Sequence, residues 1–200
     1  MPLPLYARCG FERKEDATKT ALLLLASTES RWNALALLLE RNSPQRESVD
    51  ATRYSDGRTL LHVAAEAGNL ALVRLLSSKD GRQLLTRAEA INTRQKGGST
   101  ALHVACRDGK ISMIKGLLDM GADLSAEDQD GNTPLHAACF NLCVDVVQLL
   151  VENGDADIDA QNNALATPLM ATLTQSDMTF RGPVVRVAVT LVENFAESSE

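Results

Sequence analysis

The chain has 200 residues, with 20 Lys and Arg against 26 Asp and Glu, a formal charge of −6, and 44% hydrophobic but only 4% aromatic residues. This length suits one domain with a core large enough to fold without disulfides or metals. The acidic balance argues against nucleic acid as a partner, since phosphate binding needs clustered Lys and Arg. No apolar run approaches the ~20 residues that cross a bilayer, so we expect no membrane insertion and a cytoplasmic location, with the nucleus as an alternative.

A seven-residue motif of the form Thr-x-Leu-His-x-Ala-Ala/Cys recurs along the chain. It begins at Thr59, Thr100 and Thr133, and a version without His begins at Thr167, which gives spacings of 41, 33 and 34 residues. A fainter copy begins at Thr20, 39 residues before the first clear one. We therefore predict one domain over residues 17–196, between a disordered tail at 1–16 and a short tail at 197–200. Its units lie near residues 17–52, 53–93, 94–126, 127–160 and 161–196, with insertions in 77–89 and 175–182.

Each clear motif follows a turn that contains glycine, at Gly57, Gly98 or Gly131, and precedes a second stretch of aliphatic residues at three- and four-residue steps. Glycine suits such turns because it adopts positive φ without strain. One unit is therefore predicted to be a turn, a short helix, a short loop, a second helix and an extended return. In the last unit, Pro183 is predicted to start the final helix, over residues 184–195.

The motif and its period resemble the ankyrin repeat, a 33-residue unit with a Thr-Pro-Leu-His-x-Ala signature. The resemblance implies an all-α solenoid of stacked helix-turn-helix units joined by β-hairpin-like turns, with the atypical first and last units as caps. It also implies that each motif His bonds its Thr and the backbone of the neighbouring hairpin. The residues given this structural role are Thr59, His62, Thr100, His103, Thr133 and His136.

This assignment leaves no residues for catalysis or metal binding. All three histidines of the chain belong to the motif, so neither a Cys-His nor a Ser-His-Asp arrangement can be assembled. Cys139 and Cys143 lie four residues apart without a second Cys or His pair, and Cys106 and Cys139 occupy a small-residue position of the stack. The acidic stretch at residues 155–159 lacks the Gly and Glu of a calcium loop. We predict no enzyme activity, no cofactor and no metal.

Partner binding is predicted on the concave surface of the stack, which the resemblance implies is formed by hairpin tips and first helices. This surface should be basic over the first two clear units and acidic over the third, a dipolar arrangement that steers a partner of complementary charge order. Phe140 is either an interface anchor or a side chain packed under a neighbouring loop. The predicted partner-binding residues are Arg53, Asp56, Arg58, Glu66, Arg94, Lys96, Arg107, Asp108, Glu127, Gln129, Asp130, Asn132 and Phe140.

The preferred function is a non-catalytic scaffold or adaptor that binds another protein and is monomeric alone. The alternatives are a stoichiometric inhibitor or regulator of a partner enzyme, similar to ankyrin-type kinase inhibitors, and a bacterial effector that acts on host proteins. Asn92, with Leu84 upstream, also matches the hairpin asparagine that is hydroxylated in some ankyrin proteins.

Overall fold

The computed structural model describes residues 56–71, 73, 91–152, 156–174 and 181–197. Seven helices with full bounds lie in these ranges, which confirms the predicted all-α solenoid. Four are first helices of successive units and three are second helices. The first helices are α1 (Leu60–Ala67), α2 (Ala101–Arg107), α4 (Pro134–Phe140) and α6 (Pro168–Thr174), and the second helices are α3 (Ile111–Asp119), α5 (Val144–Glu152) and α7 (Arg181–Glu197).

Stacking between units stabilises these helices, most of which are too short to persist alone in water. First helices pack in the order α1, α2, α4, α6, and second helices in the order α3, α5, α7. Small side chains make this possible: Ala64, Ala105 and Ala138, five residues after each motif Thr, are completely buried. Cys106 and Cys139 are also completely buried, as predicted, and burial raises the pKa of Cys139 to about 12. They are therefore packing residues rather than reactive thiolates.

The hairpin turns form a continuous backbone ladder along one edge of the stack. The N–H of Lys96 donates to the carbonyl of Asp56 at 2.9 Å, that of Gln129 to Gly97 at 3.2 Å, and that of Asn163 to Asp130 at 2.9 Å. The approach is so close that a Cβ on Gly98, which has φ +76°, would lie 2.8 Å from the carbonyl carbon of Asp128. Glycine is thus required here both for its φ and for lack of space.

The three motif histidines join each helix start to the next hairpin. In each, Nδ1 accepts the N–H of its own Thr at 3.2 Å. Because Nδ1 is an acceptor, the neutral ring carries its proton on Nε2, which donates to a carbonyl of the following unit. These acceptors are Ser99 for His62, Asn132 for His103 and Ala166 for His136, at 2.9, 2.9 and 3.0 Å. The structure therefore gives the histidines the role that the resemblance implied.

Acidification is expected to destabilise the fold through two of these rings. Burial lowers the pKa of both His103 and His136 below the ordinary value of 6.5, outweighing the hydrogen bonds that favour the charged form. The unfolded chain then binds protons that the folded chain excludes, so stability is complete above the unfolded pKa and falls as the pH drops below it. Urea unfolding between about pH 7.5 and pH 5, above the range in which carboxylates titrate, should show this loss. The double variant H103Q/H136Q should have a flatter pH dependence, and an equal slope in both proteins would contradict the assignment.

The last unit departs from the others, as its sequence suggests. Leu165 takes the place of the hairpin glycine and adopts φ +59°, and Met170 takes the place of the motif His. The prediction for the final helix was wrong at its start, because α7 begins at Arg181 rather than at residue 184. Pro183 is therefore the third residue of the helix, still in the first turn, where a missing N–H breaks no helical hydrogen bond.

Candidate partner-binding face

The structure describes every predicted partner-binding residue except Arg53, which lies outside the described residues. They fall on two levels of one face, the hairpin turns and the ends of the first helices. Most are exposed, whereas Asp56, Arg58 and Phe140 are half-buried and Asn132 is buried. The exposed members are Glu66, Arg94, Lys96, Arg107, Asp108, Glu127, Gln129 and Asp130.

In the first described unit, the charges on this face largely neutralise one another. The Arg58 guanidinium lies 2.7 Å from the Asp56 carboxylate and 2.8 Å from that of Glu66. Burial raises the pKa of Asp56, but hydrogen bonds from the backbone and side chain of Arg58 more than offset this and hold the pKa below its usual value. This triad ties the turn to the end of α1, so Arg58 is not the free cation that the predicted basic surface assumed.

The second unit supplies cations with no such partners. The Arg94 and Lys96 side chains are exposed, and among the described residues neither has an ion pair. Arg107, at the end of α2, instead pairs with the adjacent Asp108 carboxylate at 3.0 Å. The positive potential of the described face is therefore concentrated at Arg94 and Lys96.

The third unit is acidic, but its charged residues differ in their roles. Glu127 and Asp130 are exposed. Asp128 organises the turn instead: its Oδ1 accepts the N–H groups of Asp130 and Asn132, each at 2.9 Å, and its Oδ2 accepts from the Asn132 amide at 3.3 Å. Sequence reasoning did not separate these roles, since all three residues look alike as turn carboxylates.

Asn132, predicted to contact a partner, lies only 9% exposed. Its Oδ1 accepts from the buried Asn162 amide at 2.8 Å, while its own amide donates to Asp128. Because both polar atoms of the Asn132 side chain are hydrogen-bonded within the chain, Asn132 links neighbouring turns and is not available to contact a partner. In the repeat register Asn162 corresponds to Asp128, since each lies five residues before the motif Thr of its unit.

A cavity of about 190 Å³ opens on this face between α2 and α4. Arg107, Asp128 and Asn141 line its polar side, and Val104, Ala137 and Phe140 its apolar side. Phe140 is half-buried, packs against the core and lines the cavity, while its role as an interface anchor stays a prediction. Such a mixture of one aromatic surface and a few polar groups suits the insertion of a single partner side chain.

The cavity lacks an available acid–base pair. His103 lines it, but both ring nitrogens are already hydrogen-bonded, Nδ1 to Thr100 and Nε2 to the Asn132 carbonyl. Over the part of the chain that the structure describes, no three His, Cys, Asp or Glu side chains group closely enough to hold a metal ion.

Asn92 lies away from this cavity and joins two successive units. Its Oδ1 accepts the N–H of Asp123 at 2.9 Å, and its amide donates to the Gly121 carbonyl at 3.5 Å. The side chain is half-buried, and Leu84 lies outside the described residues. Hydroxylation at Asn92 stays a prediction.

Comparison with known families agrees with this architecture. A family model described as ankyrin repeats (3 copies) matches residues 79–162, and a model for a single ankyrin repeat matches residues 56–85. Together they span more than half of the chain, which therefore belongs to the ankyrin-repeat family. No curated protein matches the chain.

Ankyrin repeats are generally modules of protein–protein interaction, and a protein partner is therefore the coarse conclusion for this chain. None of the helices in the described ranges has the length and apolar character needed to traverse a bilayer.

Proposed function

We propose that this chain is a non-catalytic adaptor that binds an extended segment of a partner protein on its concave face. The observation that carries the proposal is the cavity between α2 and α4, which lies on the same face as the unpaired cations Arg94 and Lys96 and the exposed carboxylates Glu127 and Asp130. A rigid stack of packed units presents these groups with little cost of ordering on binding.

The charges favour one kind of partner segment. Acidic residues would contact Arg94 and Lys96, basic residues would contact Glu127 and Asp130, and an apolar side chain between them would enter the cavity against Phe140. Complementary charge order raises the association rate and discriminates against wrong partners, while the buried aromatic contact contributes most of the affinity. Because Arg58 and Arg107 are neutralised within the chain, Arg94 and Lys96 are the cations to test.

Charge reversal in R94E/K96E is expected to reduce capture of the partner at least about tenfold, as is F140A. The immobilised chain and its variants would be used to capture proteins from native cells, followed by quantitative mass spectrometry. The matched control is K115E, which reverses an exposed charge on the second helix α3. Circular dichroism melting would show that the variants are folded. A partner retained equally by all variants would contradict the binding face.

The same experiment separates an adaptor from an inhibitor. If the captured partner is an enzyme, its activity with and without the chain would be measured: an inhibitor lowers that activity in stoichiometric proportion, whereas an adaptor leaves it unchanged. An effector acting on host proteins would capture its partner only from host cells.

A further inference from the structure

The last unit exposes an unusual amount of apolar side chain. Among the described residues, the large exposed hydrophobic side chains all lie between residues 165 and 192, with exposures from 46% to 71%. They are Leu165, Met170, Leu173, Val185, Val189 and Val192. In a stack of repeats, an outer face that meets water is expected to be polar. The last described unit departs from this, since much of its exposed surface is apolar.

Two of these side chains occupy positions that join units elsewhere in the stack. Met170 stands where His136 stands in the preceding unit, and His136 reaches the next hairpin. Leu173 stands where Cys139 stands, and Cys139 contacts Thr172 of the next unit. The last described unit therefore has apolar side chains at two positions that in the preceding unit contact the next hairpin or the next first helix.

The three valines form a stripe along α7. They recur at steps of four and three residues, on the side of the helix opposite Val187 and Leu191, which are buried. α7 packs against α5 and α6, so the stripe faces away from the stack. Arg186 and Glu193 are exposed and share one edge of the stripe, and within the described ranges neither has an ion-pair partner.

This arrangement is self-complementary. If two α7 helices meet antiparallel about a two-fold axis near Val189, the stripe of one covers the stripe of the other. Arg186 of each copy then lies beside Glu193 of the other copy, so the two-fold axis generates two Arg186–Glu193 ion pairs. The three valines supply the apolar centre of this contact, and the ~800 Å² per partner of a stable interface requires the polar residues around them as well.

We propose that two copies of this chain associate through their last units, with α7 of one copy antiparallel to α7 of the other. From the sequence alone we expected a monomer. The interface shares no residue with the concave face, so each dimer presents two partner-binding faces and its affinity for a multivalent partner increases by avidity. The proposal is independent of which protein that face binds.

The test is the oligomeric state of the full chain, measured by sedimentation equilibrium and by light scattering over a range of protein concentrations. The wild-type chain is expected to be a dimer that dissociates on dilution. Charge reversal in R186E or in E193R places like charges together in both symmetric pairs and is expected to weaken dimerisation about tenfold. The double variant R186E/E193R restores both pairs with the signs exchanged and should return the dissociation constant to the wild-type value.

Two further variants complete the design. V189D, at the axis, is expected to give a monomer at every concentration, and K115E, an exposed charge reversal on α3, is expected to leave the dimer unchanged. Because Val185, Val189 and Val192 are exposed, circular dichroism should show an intact fold in V189D. A wild-type chain that stays monomeric overturns the proposal. So does a dimer that persists in V189D, or one that the double charge exchange does not rescue.

Discussion

Replacing Gly98 by alanine is expected to lower the free energy of unfolding by about 3 kcal/mol or more. Two costs combine at this position. Its φ of +76° is unfavourable for any residue with a Cβ, by roughly 1–2 kcal/mol. The new Cβ would also lie 2.8 Å from the carbonyl carbon of Asp128, and backbone atoms cannot rotate away as a flexible side chain does. Relief requires the two turns to separate, which lengthens the hydrogen bond from the Gln129 N–H to Gly97.

Alanine substitutions at two other glycines distinguish the cost of the backbone conformation from the cost of the steric clash. Gly121 has φ +88° but no atom within 4 Å of its would-be Cβ, so G121A should cost only about 1 kcal/mol from the backbone conformation. Gly97 also has open space, and its φ is not in the left-handed region, so G97A should stay within about 0.5 kcal/mol of wild type. Urea unfolding of the three variants measures the series. If G98A costs no more than G121A, the close approach of the turns does not contribute.

The glycine and histidine positions could be predicted from the sequence because they depend on local rules repeated at a fixed period. The turn glycines Gly57, Gly98 and Gly131 precede each motif by the same offset, and all three adopt positive φ. The buried Cys106 and Cys139 follow from the same register, since a position that holds alanine in one unit must be small in all of them. In a repeat protein, equivalent positions of successive units can therefore be compared with one another to predict which residues are structural.

The binding face was less predictable because its chemistry depends on contacts between side chains rather than on register. Arg58 has two acidic partners, one of them eight residues along the chain at the end of α1, whereas Arg94 has none in the described residues. Asn132 looks like an exposed turn residue until its bond to Asn162 of the next unit is known. Such pairings depend on side-chain rotamers and on the distance between units, and the repeat period of the sequence predicts neither of these.

The apolar end of the stack was missed for a related reason. The alternation of valines in residues 184–192 reads as an ordinary core pattern. Only the packing of α7 shows that Val187 and Leu191 fill the core while Val185, Val189 and Val192 face outward. The exposed positions also explain how Leu165 can occupy a glycine position: among the described residues no later turn stacks on this one, so its left-handed φ costs strain without a steric clash.

Replacing His136 by methionine is expected to destabilise the chain by about 2 kcal/mol, because it leaves the buried Thr133 N–H without its acceptor and removes one of two donors to the Ala166 carbonyl. The N–H of Thr133 loses its acceptor at 3.2 Å, and the carbonyl of Ala166 loses the Nε2–H at 3.0 Å but keeps the Asn162 N–H at 3.1 Å. Thr133 and His136 are both buried, so water cannot readily replace the bond to the Thr133 N–H. Methionine is unbranched and adaptable and fills much of the same space, so the loss reports mainly on the hydrogen bonds rather than on a cavity.

The chain contains its own matched control, because Met170 occupies the equivalent place in the last unit. Met170 is 52% exposed, and the structure describes no following hairpin that its position could bond. The reciprocal variant M170H should therefore change the free energy of unfolding by no more than about 0.5 kcal/mol. Urea unfolding compares the two, and hydrogen exchange adds a local readout, since H136M should lower the protection of the Asn163 N–H, which bonds to the Asp130 carbonyl at 2.9 Å. Equal costs for H136M and M170H would mean that the histidine contributes through packing alone. A large difference would show that the histidine stabilises the chain through its hydrogen bond to the following hairpin, a bond that Met170 cannot make.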